Sequence, residues 1–168
     1  FEGDMQFLGK NPDVGATLNY YLKAQAKTVS LTVKDASGTV VRELSDNTMK
    51  DKNKAGINSV VWDLRVEPLP APRGQQGGGG GGFFGGGLDG PFVLPGSYQA
   101  VLKVDGKEVA TQSISVLGDP EIMISDEERR AWFDSAMELH RLQRKFNAAA
   151  ESVGGLSERI RALQAVIK

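Results

Sequence analysis

Few residues in this chain are equipped to do chemistry, and their spacing argues against most of it. There is one histidine, His140, and no cysteine, which excludes thiolate zinc sites, cysteine nucleophiles, disulfides and multi-histidine metal centres within the chain. The 21 Asp and Glu leave glycoside hydrolysis open to counting alone, since two carboxylates need only meet in space. Their local settings explain them otherwise. Glu127 and Glu128 follow Ser125 where a helix is expected to start, and negative charge is favoured there. Asp35, Asp105 and Asp119 stand in turn sequences, where a carboxylate accepts from backbone N–H groups nearby. Calcium would need several converging oxygens, and no D-x-D-x-D spacing occurs. His140 falls on the rim of a helical apolar stripe with no partner suggested by sequence. The glycines from Gly77 to Gly82 and Gly85 to Gly87 have the freedom of a phosphate-binding loop, but no Gly-Lys-Ser/Thr opens a helix after them. The sequence therefore assigns no catalytic residue, no cofactor and no metal ligand.

Aromatic side chains carry the remaining possibilities. Phe83 and Phe84 interrupt the glycine segment and are candidate interaction residues, able to dock on an apolar groove that the glycines cannot fill. Trp62, flanked by Asp63 and Arg65, could stack on a sugar ring, with Tyr20, Tyr21 and Phe84 as further platforms. Against that, Trp62 shares its strand face with Val60 and Leu64, and an alternating apolar face turns inward.

The elements that must position these residues are mostly strands. Period-two alternation runs from Ala16 to Leu117 in short stretches. Ala16, Leu18, Tyr20 and Leu22 share one face, and Val29, Leu31 and Val33 alternate before the turn Asp35-Ala36-Ser37-Gly38. Val40 to Leu44 returns. Gly56-Ile57-Asn58 is expected to break the chain before a strand over Val60 to Leu64. Ser97 to Val104, the tight turn Asp105-Gly106 and the return Val109 to Val116 make the last hairpin. The shared alternation predicts a core of Leu18, Leu31, Val33, Trp62, Tyr98, Ala100 and Leu102. After Asp119-Pro120 the period changes, and Ser125-Asp126-Glu127-Glu128 reads as a capping box. Trp132, Ala136, Leu139, Leu142, Phe146, Ala150 and Val153 form an apolar stripe at spacings of three and four. Gly154-Gly155 is expected to stop that helix, and Leu156, Ile160, Leu163 and Ile167 to form a second one folded back on it, stripe to stripe.

These elements predict an Ig-like or fibronectin-type antiparallel β-sandwich over 1–118, with a long Gly-rich loop at 66–95, followed by a two-helix hairpin over 119–168. The chain is 168 residues long and 40% hydrophobic, enough for one domain and an appendage. Its 20 basic and 21 acidic residues leave a net charge of -1, which offers no field for nucleic acid or an anionic membrane. No apolar run approaches the roughly 18 residues of a membrane helix. A start at Phe1 without Met, and an end at Lys168 inside a helical pattern, are expected of a piece of a longer protein.

Gly56-Ile57-Asn58-Ser59-Val60-Val61-Trp62-Asp63-Leu64-Arg65, followed after a loop by Gly90-Pro91 and Pro95-Gly96-Ser97-Tyr98, resembles the bacterial Ig-like module of flagellar hook-capping proteins. A longer series adds Asn11-Pro12-Asp13-Val14-Gly15-Ala16, Tyr20-Tyr21-Leu22, Asp105-Gly106, Asp119-Pro120 and the helical tail. It resembles the C-terminal region of exported bacterial proteins with a sortilin-type or BNR-repeat β-propeller, often labelled glycosyl hydrolases. That resemblance implies a non-catalytic accessory module, periplasmic or extracellular, whose partner is an upstream β-propeller of the same parent protein. A carbohydrate-binding module is the alternative, with carbohydrate as its partner.

Overall fold

The computed structural model describes residues 14–45, 48–69 and 89–166, with side chains at 158, 162, 165 and 166 set aside. The β-branched and aromatic alternation forms six strands: β1 (Ala16–Leu22), β2 (Val29–Asp35), β3 (Val40–Leu44), β4 (Gly56–Trp62), β5 (Gly96–Val104) and β6 (Lys107–Val116). They make two antiparallel sheets, one of β1 and β4 and the other in the order β3-β2-β5-β6. Asp105 and Gly106 both have positive φ, 50° and 79°, the backbone that lets a two-residue turn follow the twist of its strands.

Both sheets contribute to one core. Leu22, Val60 and Trp62 come from the two-stranded sheet, and Val29, Leu31, Val33, Leu44, Tyr98, Ala100 and Leu102 from the other. Ala16, Leu18 and Tyr20 pack half-buried against them. Trp62 is 0% exposed and meets Tyr98 edge-on, with ring centroids 5.5 Å apart and planes at 63°.

The fourth strand differs from its sequence reading of Val60 to Leu64. It begins at Gly56 and ends at Trp62. Gly56, at φ 101°, turns the chain into the strand instead of interrupting it, while Leu64, at φ 58°, cannot continue it.

The two-helix hairpin is also corrected. A single helix, α1 (Asp126–Val166), runs 41 residues through Gly154 and Gly155, about 60 Å at 1.5 Å per residue. Neither glycine takes a positive φ, so no left-handed cap ends the helix there. Two glycines cost about 2 kcal/mol of helix propensity, whereas a break would leave up to four carbonyls and four N–H groups without helical partners. The expected facing of the two stripes is thereby lost. Trp132, Leu139, Leu142, Phe146, Val153, Leu156, Ile160 and Leu163 are all exposed. The covered positions of α1 up to Asn147 are Arg129, Phe133, Ala136, Met137, His140, Gln143 and Asn147, with Arg129 beside Gly118 and His140 beside the backbone of Glu67. The helix start follows its sequence: Ser125 Oγ accepts from the Glu128 N–H at 3.2 Å, and the Glu128 carboxylate accepts from the Ser125 N–H at 2.9 Å.

Candidate functional site

The densest polar arrangement lies where β4 leaves its sheet. Trp62 Nε1 donates to the Arg65 carbonyl at 3.0 Å, and the Asp63 carboxylate accepts from the Arg65 N–H at 3.2 Å, which closes the turn made possible by Leu64. Arg65 then bridges to Phe92. Its guanidinium lies 3.7 Å from the Phe92 ring centroid and donates to the Gly90 carbonyl at 2.9 Å. The Val66 N–H donates to Pro91 at 3.0 Å and the Val93 N–H to Leu64 at 2.8 Å. Opposite, Arg42 donates to Asp63 at 3.5 Å and to the Val66 carbonyl at 3.2 Å. Tyr98 donates to the Leu94 carbonyl at 2.7 Å, and burial raises its hydroxyl pKa, with a smaller contribution from the negative charge of Asp35. All of these groups face a partner within the chain except Arg42 Nε, which is buried without a hydrogen-bond partner among the described residues, so this corner is built as a structural clamp. It holds together the two ends, 66–69 and 89–93, from which the Gly-rich segment departs.

The turn acids are similarly engaged. Asp35 accepts from the Ser37 hydroxyl at 2.6 Å and from the N–H groups of Ser37 and Thr39 at 2.9 Å. The Ser37 hydroxyl, helped by these backbone donors, holds its carboxyl below the ordinary value despite the opposing effect of burial. Asp105 accepts from the N–H groups of Lys27 and Thr28, both at 2.9 Å, tying the β5–β6 turn to the start of β2. Asp119 accepts from the Glu121 N–H at 2.9 Å. Among the described residues no three of His, Cys, Asp and Glu gather as metal ligands.

His140 departs from the sequence reading of a boundary residue. It is 6% exposed and sits beside the backbone of Glu67, where burial, reinforced by the nearby Arg144 charge, lowers its pKa despite that backbone. Its Nε2 has no hydrogen-bond partner among the described residues, and the same is true of Arg129 Nε and Asn147 Nδ2 on the same helix face.

The aromatic candidates are dispersed. Trp62 is sealed in the core, so its indole offers no face to a sugar. Tyr20 is half-buried and donates its hydroxyl to the Lys52 carbonyl. Tyr21 is 67% exposed and stands opposite Ile57, also exposed, on the outer side of the β1–β4 pair. Phe83 and Phe84 lie outside the described residues. The surface that sequence reasoning missed is the outer face of α1. Its spacing was legible, but a stripe of apolar residues says nothing of which neighbour covers it.

No family model matches the chain, and no curated protein matches it. Among solved structures it is similar to the crystal structure of FlgD from P. aeruginosa, at 22% identity and a TM-score of 0.35 over 58% of this chain and 56% of that one. The chain thus spans little more than half the length of that FlgD chain. The resemblance to propeller-bearing proteins gains no support from these comparisons.

Proposed function

We propose that this chain is a non-catalytic accessory module, an Ig-like β-sandwich with a helical arm, that mediates contacts within a larger exported β-propeller protein of the periplasm or cell exterior. The observation that carries this reading is the outer face of α1, where eight large apolar side chains from Trp132 to Leu163 are exposed along one helix. Contiguous apolar surface of this kind belongs to association, not to chemistry in solution. Supporting it, the Trp62–Arg65 corner and the turn carboxylates spend most of their polar groups on backbone and side-chain partners within the chain. Phe83 and Phe84, carried on a segment rooted in that corner, supply a second docking element. The sequence that precedes Phe1 in the parent gene, produced as a separate chain, gives the test. Calorimetric titration should show it binding this chain, with an affinity on the order of micromolar, and Phe83→Ser with Phe84→Ser should weaken that binding. A gene that begins at Phe1, or no heat of binding at high concentration, would overturn the reading. The carbohydrate alternative keeps Tyr21 as its one exposed candidate among the described positions, and a glycan titration lost in Tyr21→Ala would revive it.

A further inference from the structure

The exposed face of α1 has a period of its own. With Trp132 as position a of a heptad, every a and d position through Leu163 is apolar except Ser135. A strict repeat of 3.5 drifts about 20° per heptad around a straight helix, so the seam turns nearly a quarter of the way round between Trp132 and Leu163. A flat or globular surface covers only part of such a seam. A second helix that supercoils with it can. The covered row, held beside Gly118 and Glu67, ends at Asn147, and the positions of α1 described beyond it are exposed, apart from Gly155, which is partly covered. The helix therefore has a docked half and a projecting half of similar length, both carrying the same seam.

We propose that α1 pairs with α1 of a second copy of this chain as an antiparallel coiled coil whose two-fold axis passes between Asn147 and Ala148. This rests on the reading of the chain as an interaction module and names the occupant of its main surface. In that register each projecting half lies along the docked half of the other copy. Phe146 faces the second copy's Ala149, Leu142 its Val153, Leu139 its Leu156 and Trp132 its Leu163, so the bulkiest rings meet smaller side chains and the layers fill evenly. A parallel pair would instead set Phe146 on Phe146 and Ala149 on Ala149, overfilling one layer and emptying the next. Charge agrees with size. At the g positions Glu138 falls beside the second copy's Arg159, twice by symmetry, and Lys145 falls beside Ser152. The e edge, which includes covered positions, carries Ala136, Gln143, Ala150, Ser157 and Gln164 after Arg129, and Arg129 falls beside the second copy's Gln164, so no like charges meet there.

Sedimentation equilibrium on the full chain over a micromolar concentration series reads the association. The expected result is a dimer that Leu139→Glu and Leu156→Glu each dissociate, raising the dissociation constant about a hundredfold or more. Both positions are exposed in the single chain, so the variants should keep its fold, which circular dichroism checks. Glu138→Arg and Arg159→Glu should each weaken the dimer about three-fold or more, and the double variant should restore it. Because the chain lacks cysteine, orientation can be read directly. An equal mixture of Leu139→Cys and Leu156→Cys chains should form a disulfide-linked heterodimer, while each variant alone should not cross-link. Self-cross-linking of either variant, a monomer at every concentration, or a dimer indifferent to both glutamates would overturn the proposal. A monomer that still binds the preceding domain would sink this inference and spare the module reading; a dimer that ignores that domain would do the reverse.

Discussion

The two tryptophans of this chain show how differently its two regions are held. Trp62 is 0% exposed and has both its ring and its N–H engaged, whereas Trp132 is 82% exposed. Around Trp62 the β body places apolar residues inward and closes its polar groups on partners, Arg42 Nε excepted. Along α1 the order is inverted. Its most apolar stripe faces outward, and its covered face is mixed, with Arg129 Nε, His140 Nε2 and Asn147 Nδ2 finding no partner among the described residues. A buried polar atom without a hydrogen bond costs about 1–3 kcal/mol, and among the described residues three such atoms lie on the covered face of α1 against one, Arg42 Nε, in the β body. The contrast teaches that a hydrophobic pattern specifies that a face will be covered; the cover need not come from the same chain.

The largest effect expected on this contrast comes from Trp62→Ala, which should cost about 3–5 kcal/mol by denaturant unfolding, as for a large core side chain. A loss under about 1 kcal/mol would place the indole outside the core energetics. Gly90→Ala comes next, because a Cβ there would be driven into the Val66 carbonyl and side chain. The strain should cost about 1–3 kcal/mol and loosen the corner, read as faster proteolysis of the segment between 69 and 89. Ser125→Ala removes the helix cap and should cost about 1 kcal/mol, seen as earlier loss of helical circular dichroism with the β signal unchanged.

Acidification separates the regions without mutation. The folded pKa of His140 lies below its ordinary 6.5, so between these two values the unfolded or undocked state binds a proton that the docked state does not. Docking is therefore fully favourable above 6.5 and weakens as pH falls through that window. Hydrogen exchange at α1 should quicken between pH 7 and pH 5 relative to β2 and β5, and His140→Gln should flatten the difference. The smallest effect belongs to Trp132→Ala, which at concentrations too low for association should change unfolding stability by less than about 0.5 kcal/mol. A cost near that of Trp62→Ala would mean that α1 buries its stripe within its own chain.

Legibility follows the same division. β1 and β3 have the bounds that alternation predicts, because each strand finds its cover in the opposite sheet of the same chain. Of the expected core, Leu31, Val33, Trp62, Tyr98, Ala100 and Leu102 are buried and Leu18 is half-buried. The fourth strand was misplaced because Gly56 reads as a break, while its positive φ serves as an entry. The real break, Leu64 with positive φ, has no signal in its residue type. Its conformation is held by Trp62, Asp63 and Arg65 hydrogen-bonding around it. Gly154-Gly155 misled in the opposite sense, since propensity weighs a local cost that the continuity of helical hydrogen bonds outweighs.

The sequence by itself determined the strands other than the bounds of β4, the Asp105-Gly106 turn, the cap at Ser125 and the existence of an apolar stripe after it, because each depends on neighbours a few positions away. The tertiary structure alone decided that His140 is buried beside Glu67, that the Trp62–Arg65 motif is a clamp, and that the stripe of α1 faces outward. Those outcomes depend on which surfaces compete for a helix with two usable faces, and periodicity along one chain carries no record of that competition.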